Sequence, residues 1–406
     1  MTEETAKEPV ILDDGYLRDR ERLVGRLRSA DPVCQAVTPD GLRVWLVTGH
    51  EEARTALAEP SLSKDSRRAA PLHAKRQQEE GTQPIVFHQA LTSHMLNMDP
   101  PDHTRLRKLV TKAFTLRRVE QLRPRVAELV SGLLDRLSGR DSVELLEDYA
   151  FPLSLAVSGE LFGIPEHERE HFRTLSNGIA FANGPAEVAT ASFEIAGYLT
   201  DLVALKRKEP ADDLVTALVH ARDDDDRLDE DELVAMTFLI LTAGYETSGH
   251  LIGNGILTLL RNPTQLAALR ADPALLPGAV EELLRYEGPT ATTTLRFTTT
   301  PVRLGEVTIP AGEFILVHLG AANHDGSRYP EPDQVDLQRD TKGHLAFGHG
   351  IHYCLGAPLG RLEGQTAIGG LVERFPDLTL ATDPQALRWR ANLLFHGLEA
   401  LPVRLR

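Results

Sequence analysis

Residues 347–356 read Phe347-Gly348-His349-Gly350-Ile351-His352-Tyr353-Cys354-Leu355-Gly356, and they carry the strongest signal in the chain. Glycine at three of these positions permits tight turns, so backbone N–H groups can approach the cysteine sulfur. A helix is predicted directly afterwards, because Pro358 suits the first turn of a helix. The positive end of that helix favours the thiolate form of Cys354.

The residues of this loop leave three interpretations of Cys354 open. One is a structural cysteine in a turn, since buried cysteines are common. A second is a nucleophile assisted by His352. The third is an axial ligand of haem iron, because a thiolate donates electron density that favours O–O cleavage.

A second pattern lies in one very long predicted helix, which begins at a capping box formed by Asp229 and Glu232 and ends near residue 260. Ala243, Gly244 and Thr247 share one face of this helix through their three- and four-residue spacing. Small side chains there let a flat cofactor approach the backbone. The Thr247 hydroxyl can bond to the carbonyl one turn earlier. The alternative is a packing notch in a buried helix.

The rest of the pattern is mostly helical, with short strands towards both ends. Residues 33–48 are predicted to form a β-hairpin, and residues 62–98 a long surface loop with one short helix. Residues 102–285 are predicted to be almost wholly helical, with Asp102 as the first N-cap. The expected fold class is mainly α with small β-sheets.

The composition excludes several classes of protein. The 406 residues carry a formal net charge of −15, whereas a general nucleic-acid-binding protein needs a basic face. We see no signal peptide and no run of about 18 apolar residues, so we expect no membrane span. The two cysteines, Cys34 and Cys354, make a poor disulfide framework, which favours the cytoplasm. We expect a monomer with one domain over residues 1–406, including a flexible tail at about 1–10.

The cysteine loop resembles the haem-binding signature of the cytochrome P450s, the haem-thiolate monooxygenases. All fixed positions of that signature are present: Phe347, Gly348, Gly350, His352, Cys354 and Gly356. The resemblance implies the P450 fold, in which a long central helix crosses the haem, and haem b (iron protoporphyrin IX) with Cys354 as axial ligand. It also implies that Phe347 packs near the thiolate and that His352 holds a haem propionate.

The long helix resembles the same family through its Ala243-Gly244-Tyr245-Glu246-Thr247 segment. By this resemblance Ala243 and Gly244 lie against the haem. Glu246 and Thr247 correspond to the acid–alcohol pair of the family, in which Thr247 steadies the reacting oxygen and Glu246 supplies protons.

Three further cations match propionate contacts of the family, namely His103, Arg107 and Arg296. Two carboxylates carried into a dry pocket need several such donors. Together with His352, these residues are the predicted propionate site.

Glu282 and Arg285 match the structural Glu-x-x-Arg pair of the family. The partner loop usually supplies an arginine, but Gln334 stands at the matching place in this chain. Arg328 and Arg339 are the possible substitutes.

Residues 99–108 and 343–347 look most like soluble bacterial members, nearest to those that tailor macrolides and other secondary metabolites. The segments that contact substrate in the family are mainly apolar here, with several hydroxyls, which suits a bulky hydrophobic molecule. The predicted substrate contacts are Phe87, Leu96, Ile240, Ala243, Thr290, Thr294, Leu394 and Phe395.

The implied reaction is hydroxylation or epoxidation, with one atom of O2 going to substrate. We see no flavin or nicotinamide fingerprint, so electrons from NAD(P)H are expected to arrive through a ferredoxin and its reductase. Two alternatives stay open, namely a peroxygenase, dehydratase or isomerase on the same fold, and a non-catalytic haem-binding protein.

Overall fold

The structure is a computed structural model that describes residues 8–18, 27, 31–81, 86–182, 184–223 and 226–406. Most of the tail expected at residues 1–10 lies outside these ranges.

Helices make up most of the described chain. They are α1 (Asp14–Arg18), α2 (His50–Ala58), α3 (Ser66–Glu80), α4 (Asp102–Ala113), α5 (Leu116–Leu137), α6 (Phe151–Phe162), α7 (Glu166–Ala180), α8 (Pro185–Lys208), α9 (Leu214–Val219), α10 (Glu230–Arg261), α11 (Pro263–Ala271), α12 (Leu276–Glu287), α13 (Leu319–Ala322) and α14 (Ala357–Arg374). A π-helical turn, Leu146–Ala150, leads into α6. Short 3-10 turns cover Gln89–Leu91, Met95–Asn97, Pro273–Leu275, Gly350–His352 and Pro384–Ala386.

The strands are short and form separate small sheets. They are β1 (Val10–Ile11), β2 (Val33–Val37), β3 (Arg43–Val47), β4 (Leu62–Ser63), β5 (Ser142–Glu144), β6 (Arg222–Asp223), β7 (Asp226–Arg227), β8 (Arg296–Thr298), β9 (Val302–Leu304), β10 (Val307–Ile309), β11 (Phe314–Val317), β12 (Thr379–Leu380) and β13 (Pro402–Arg404). The largest sheet has the order β1-β2-β3-β11-β8-β4, and β12-β13-β5 form a three-stranded antiparallel sheet. β2 and β3 are the predicted hairpin.

Helix α10 is the centre of the α-helical core. Its 32 residues span about 48 Å at the usual rise per residue. The predicted capping box is present, because the Glu232 N–H donates to Asp229 Oδ1 at 2.8 Å and the Asp229 N–H donates to Glu232 Oε2 at 3.0 Å. Helices α6, α8, α12 and α14 pack around α10, so side chains in its middle are enclosed on several sides.

Two local predictions are wrong. Residues 62–98 contain the 15-residue helix α3 and two 3-10 turns, rather than a loop with one short helix. Asp102 is the first residue of α4 and caps nothing, since Pro101 occupies the N-cap position without a side-chain cap. The Asp102 carboxylate instead accepts a hydrogen bond from Arg67 at 2.9 Å.

One described helix, α8, is long and apolar enough to cross a membrane by length and composition, with a mean hydropathy of 1.3 in its most apolar stretch. Its buried side chains include Ile195, Leu199 and Leu202, and the helix packs against α7 and α10. These apolar residues therefore belong to the core of the fold.

Candidate active site

The cysteine loop is held by its own backbone. The N–H of Cys354 donates to the carbonyl oxygen of Phe347 at 2.9 Å. Gly348 and Gly350 have φ angles of 72° and 73°, a backbone conformation that residues other than glycine rarely adopt. A Cβ at Gly350 would also lie 2.7 Å from the carbonyl oxygen of Leu57. The glycines are thus needed both for the turns and for the close approach of α2.

Two opposing influences act on the Cys354 thiol. Desolvation by the surrounding protein raises its pKa, whereas the backbone N–H groups of Gly356 and Ala357 and the charges of Arg107 and Arg361 lower it. Cys354 nevertheless has an exposed surface. The backbone donors predicted at the start of α14 are therefore present, and they favour the thiolate as predicted, while burial acts against them. A bound metal cation deprotonates a coordinating thiol outright.

One face of α10 is accessible although the surrounding turns are buried. Ala243 is exposed, and Ile240, Gly244 and Thr247 are half-buried. The Thr247 hydroxyl donates to the carbonyl oxygen of Ala243 at 2.6 Å, which is the predicted bond within the helix. Because the side chains on this accessible face are small, a bound molecule can come close to the helix backbone.

The Glu246 side chain is fully buried and lies one turn of α10 from His250. Burial raises the pKa of its carboxyl group to about 7, although the charges of Arg390 and Arg173 lower it and that of Glu147 raises it further. A carboxyl group with a pKa near neutrality can both hold and release a proton at physiological pH.

The predicted propionate residues come together from three separate segments. The rings of His103 and His352 lie 4.4 Å apart between centroids, and Arg107 Nη2 donates to the carbonyl oxygen of Tyr353 at 2.7 Å. Arg296 is 4% exposed. Burial lowers the pKa of His352 to about 2, and the charges of Arg296 and Arg107 act in the same direction.

Several buried nitrogen atoms of this cluster have no partner among the described residues. They include Arg296 Nε and both ring nitrogens of His103. Buried cations normally pair with anions, so a ligand carrying two carboxylates fits this cluster. Together with a single thiol on a glycine-rich loop, the donor set suits haem b.

Comparisons with known proteins agree with this chemistry. The cytochrome P450 family model matches residues 164–385. The chain is 52% identical to cytochrome P450 107B1 of Saccharopolyspora erythraea, over 100% of this chain and 99% of that protein. The chain belongs to the cytochrome P450 family. It is also 46% identical to the cytochrome P450 monooxygenase PikC of Streptomyces venezuelae, over 99% of this chain and 96% of that protein.

Among solved structures, the tirandamycin C-bound P450 monooxygenase TamI matches with a TM-score of 0.90 and 46% identity, over 98% of this chain and 100% of that one. The predicted fold class is confirmed. The protein is a P450 monooxygenase whose cofactor is haem b, with Cys354 as the axial ligand.

Sequence reasoning missed Lys64 of this P450. Lys64 is buried, and its ammonium group donates to the Thr294 hydroxyl. Its backbone N–H donates to Asp99 Oδ1 at 2.9 Å. Because its partner Thr294 lies two residues from Arg296, Lys64 joins the cluster of predicted propionate residues. Burial and the charge of Arg296 hold the Lys64 pKa well below its usual range. The sequence did not distinguish Lys64 from the arginines and lysines that follow it, which were all expected on a surface loop.

The Glu-x-x-Arg pair of the P450 is completely buried. Arg285 Nε donates to Glu282 Oε2 at 2.7 Å and Nη2 donates to Oε1 at 2.8 Å. Arg339 is the third member, because its Nε donates to Glu282 Oε1 at 3.2 Å. Gln334 offers Arg285 only its backbone carbonyl, while its side chain bonds to Glu331. Arg328 instead donates to the carbonyl of Lys342.

Two of the predicted substrate segments lie side by side. Thr290 pairs with Phe395 in an isolated antiparallel bridge, and the Ala291 N–H donates to the Leu394 carbonyl at 2.8 Å. Thr294 is tied to Lys64 and so lies beside the propionate cluster. Phe87 is 39% exposed, and Leu96 is half-buried near the start of α4.

Proposed function

We propose that this P450 hydroxylates or epoxidises a bulky, mostly hydrophobic macrolide, polyketide or related secondary metabolite. The observation that carries the proposal is the accessible face of α10, where Ile240, Ala243 and Gly244 offer apolar surface beside the Thr247 hydroxyl. The relatives support the substrate class, since 6-deoxyerythronolide B hydroxylase of Saccharopolyspora erythraea is 42% identical over 98% of this chain and 98% of that protein.

We assign the proton-handling roles to α10. Bound haem supplies the activation of dioxygen. Thr247 orients the oxygen that reacts, with its hydroxyl anchored on the Ala243 carbonyl, and Glu246 holds and releases the protons that this step consumes. Ala243 and Gly244 leave room for the haem plane because their side chains are small.

We assign cofactor binding to the residues gathered around the cysteine loop. His103, Arg107, Arg296 and His352 bind the propionates, and Lys64 adds a fifth polar side chain. Phe347, Gly348 and Gly356 shape the pocket of the sulfur. Glu282 and Arg285 act structurally, through Arg339 and the carbonyls of residues 323 and 332.

We assign substrate contacts to three parts of the chain. Helix α10 contributes Ile240 and Ala243. The adjoining segments around Thr290 and Phe395 contribute a second wall, which contains Leu394 and extends to Thr294. Phe87 and Leu96 contribute a third.

The remaining proposals concern the surroundings of the enzyme. Electrons come from NAD(P)H through a ferredoxin reductase and a ferredoxin. The protein acts in the cytoplasm as a monomer, and residues 1–406 form one domain. The six-stranded sheet supports a single domain, because it joins strands from residues 10–63 to strands from residues 296–317.

The experiment combines binding and turnover. A panel of macrolactones and linear polyketides is first screened for ligands that shift the haem spin state. Each ligand is then incubated with NADPH, ferredoxin, ferredoxin reductase and isotopically labelled dioxygen. We expect one labelled oxygen atom in the product and a dependence on the ferredoxin.

The controls separate the alternatives. Unlabelled product formed with hydrogen peroxide alone would favour a peroxygenase, and a dehydrated or rearranged product without labelled oxygen would favour the other chemistries. Failure to oxidise any ligand that shifts the spin state would favour a non-catalytic haem protein. Thr247→Ala is expected to keep the haem spectrum, but most of the NADPH that it consumes should yield hydrogen peroxide instead of oxidised product. Fully coupled turnover of this variant would contradict the role of Thr247.

A further inference from the structure

Glu246 and His250 lie one turn apart on the same face of α10, and both side chains are 0% exposed. Nε2 of His250 is 3.6 Å from Oε2 of Glu246. Within the described ranges, neither carboxyl oxygen and neither ring nitrogen has a hydrogen-bond partner. Buried polar atoms are rarely left in this state, because each unpaired group costs free energy.

Two glycines give the imidazole its position. A Cβ at Gly397 would lie 1.8 Å from Nδ1 of His250, so any side chain at residue 397 would displace the ring. On another side, the Phe151 ring meets the imidazole edge-to-face at 5.2 Å and 82°. A Cβ at Gly249 would lie 2.5 Å from Cδ1 of Phe151, so Gly249 in turn lets Phe151 approach.

The next turn of α10 holds the Gly397 segment in place. Asn254 Nδ2 donates to the carbonyl oxygen of His396 at 2.9 Å and to that of Glu287 at 3.1 Å. The ring of His396 also stacks on Trp389 at 4.1 Å. The wall against which His250 packs is therefore tied to α10 itself.

We propose that His250 is a positioning residue for Glu246, whose carboxyl group it holds through Nε2 in the orientation that supplies protons toward Thr247. This inference rests on the role proposed for Glu246 above. The separation of 3.6 Å exceeds hydrogen-bond distance by a few tenths of an ångström, which a small rotation of the glutamate side chain covers.

Imidazole suits this task because the neutral ring carries one donor and one acceptor nitrogen. In the tautomer that carries its proton on Nε2, the ring donates to the carboxylate and equally to the carbonyl oxygen of the protonated carboxyl group, so no change of tautomer is needed. A group that gains and loses a proton in every turnover thus keeps a partner in both states.

The charges around the pair are compatible with this arrangement. Burial and the charge of Arg390 lower the pKa of His250 to about 3, so the ring is neutral where Glu246 titrates. Burial raises the pKa of Glu246 to about 7, with Arg390, Arg173 and Glu147 as the charged groups that face it. Tyr245 adjoins the carboxyl group on α10.

The test compares His250→Phe with His250→Gln in the holoenzyme. Phenylalanine keeps a ring against Gly397 but forms no hydrogen bond, whereas glutamine offers both a donor and an acceptor. We measure product formed per NADPH, and its rate, across pH in the presence of ferredoxin and reductase. His250→Phe should lower the rate of product formation about tenfold, a part of the roughly hundredfold or more that general acid catalysis supplies. His250→Gln should restore most of it.

The pH profile distinguishes positioning from general damage. Product formation in the wild type should fall as pH rises through about 7, because Glu246 loses its proton. A hydrogen bond stabilises a carboxylate more than a neutral carboxyl group, so its loss in His250→Phe should move this fall to higher pH. Gly397→Ala, which displaces the ring without altering it, should act in the same direction.

A double variant decides the outcome. If His250 acts through Glu246, adding His250→Phe to Glu246→Gln should cause no further loss. Wild-type rate and pH profile in His250→Phe, when Glu246→Gln is impaired, would overturn the inference alone. Wild-type behaviour of Glu246→Gln would overturn the proposed role of Glu246 as well. If His250→Phe yields no holoenzyme, His250→Leu makes the same comparison.

Discussion

The cysteine loop and the middle of α10 each present one reactive side chain, but they hold it in different ways. The Cys354 thiol is met by backbone N–H groups from residues two and three positions further on, in a loop whose turns are made by its own glycines. The Glu246 carboxyl group is fully buried, and the charges of Arg173 and Arg390, which lie on distant segments, act on it.

This difference determines what a substitution does. Substitutions in the loop change the position or the charge of the Cys354 sulfur, which neighbouring residues hold. They should therefore alter the ligation of the haem and its spectrum. Changes around Glu246 act on the pKa and orientation of an acid, so they should alter proton supply and leave the haem spectrum intact.

Cys354→Ala should abolish thiolate ligation and reduce monooxygenase turnover to background, because no other side chain of the loop can donate a thiolate. The absorbance spectrum of the reduced carbon monoxide complex measures this. Cys34→Ala is the matched control, since Cys34 lies on β2, and it should leave the spectrum unchanged. A thiolate spectrum that persists in Cys354→Ala would contradict the assignment of the ligand.

Arg285→Met should destabilise the protein by about 3–5 kcal/mol, because it leaves Glu282 buried with only part of its pairing. Arg303→Met removes an ion pair whose side chains are 67% and 95% exposed, and should cost at most about 1 kcal/mol. Denaturant unfolding of the two variants provides the comparison. Equal losses would show that burial of the pair is unimportant.

Glu246→Gln should change how stability depends on pH. A carboxyl group whose pKa rises from 4.5 to about 7 on folding costs stability progressively as pH rises between these values. Over this pH range the free energy of unfolding of the glutamine variant should therefore rise relative to that of the wild type, by about 3 kcal/mol at most. Unfolding curves at several pH values measure the difference. Glu306→Gln, at an exposed site, should show none, and a flat difference for Glu246→Gln would contradict the burial argument.

Lys64→Met should weaken haem retention about tenfold, which corresponds to about 1.5 kcal/mol for one hydrogen bond to a charged group. Transfer of haem to an excess of apomyoglobin measures the dissociation rate. Lys75→Met, at a side chain that is 70% exposed in the same region, is the control and should have no effect. Equal rates for both variants would remove Lys64 from the propionate cluster.

The sequence predicted those features whose causes are local. The glycine turns, the capping box of Asp229 and Glu232, the small face of α10 and the Glu282–Arg285 pair all depend on residues within a few positions of one another. The residue types and their spacing therefore indicated the turns and the capping box, whereas the resemblance to the P450 family was needed to predict that the Glu282–Arg285 pair is structural.

Features that depend on distant residues were missed. Lys64 belongs to the site because Thr294 and Arg296 meet it across the fold, and His250 owes its position to Gly397. The sequence of helix α3 resembles that of a surface loop because the helix buries only Ala69 and therefore lacks an apolar face. Its stability comes from the Asp65 cap and from the ion pair that joins Arg76 to Glu313 at 2.7 Å.

The most direct test of this account is the absorbance spectrum of the purified, reduced protein with carbon monoxide. The account predicts bound haem with the long-wavelength Soret band that a thiolate ligand produces. A protein without haem, or a Soret band typical of histidine-ligated haem, would contradict it.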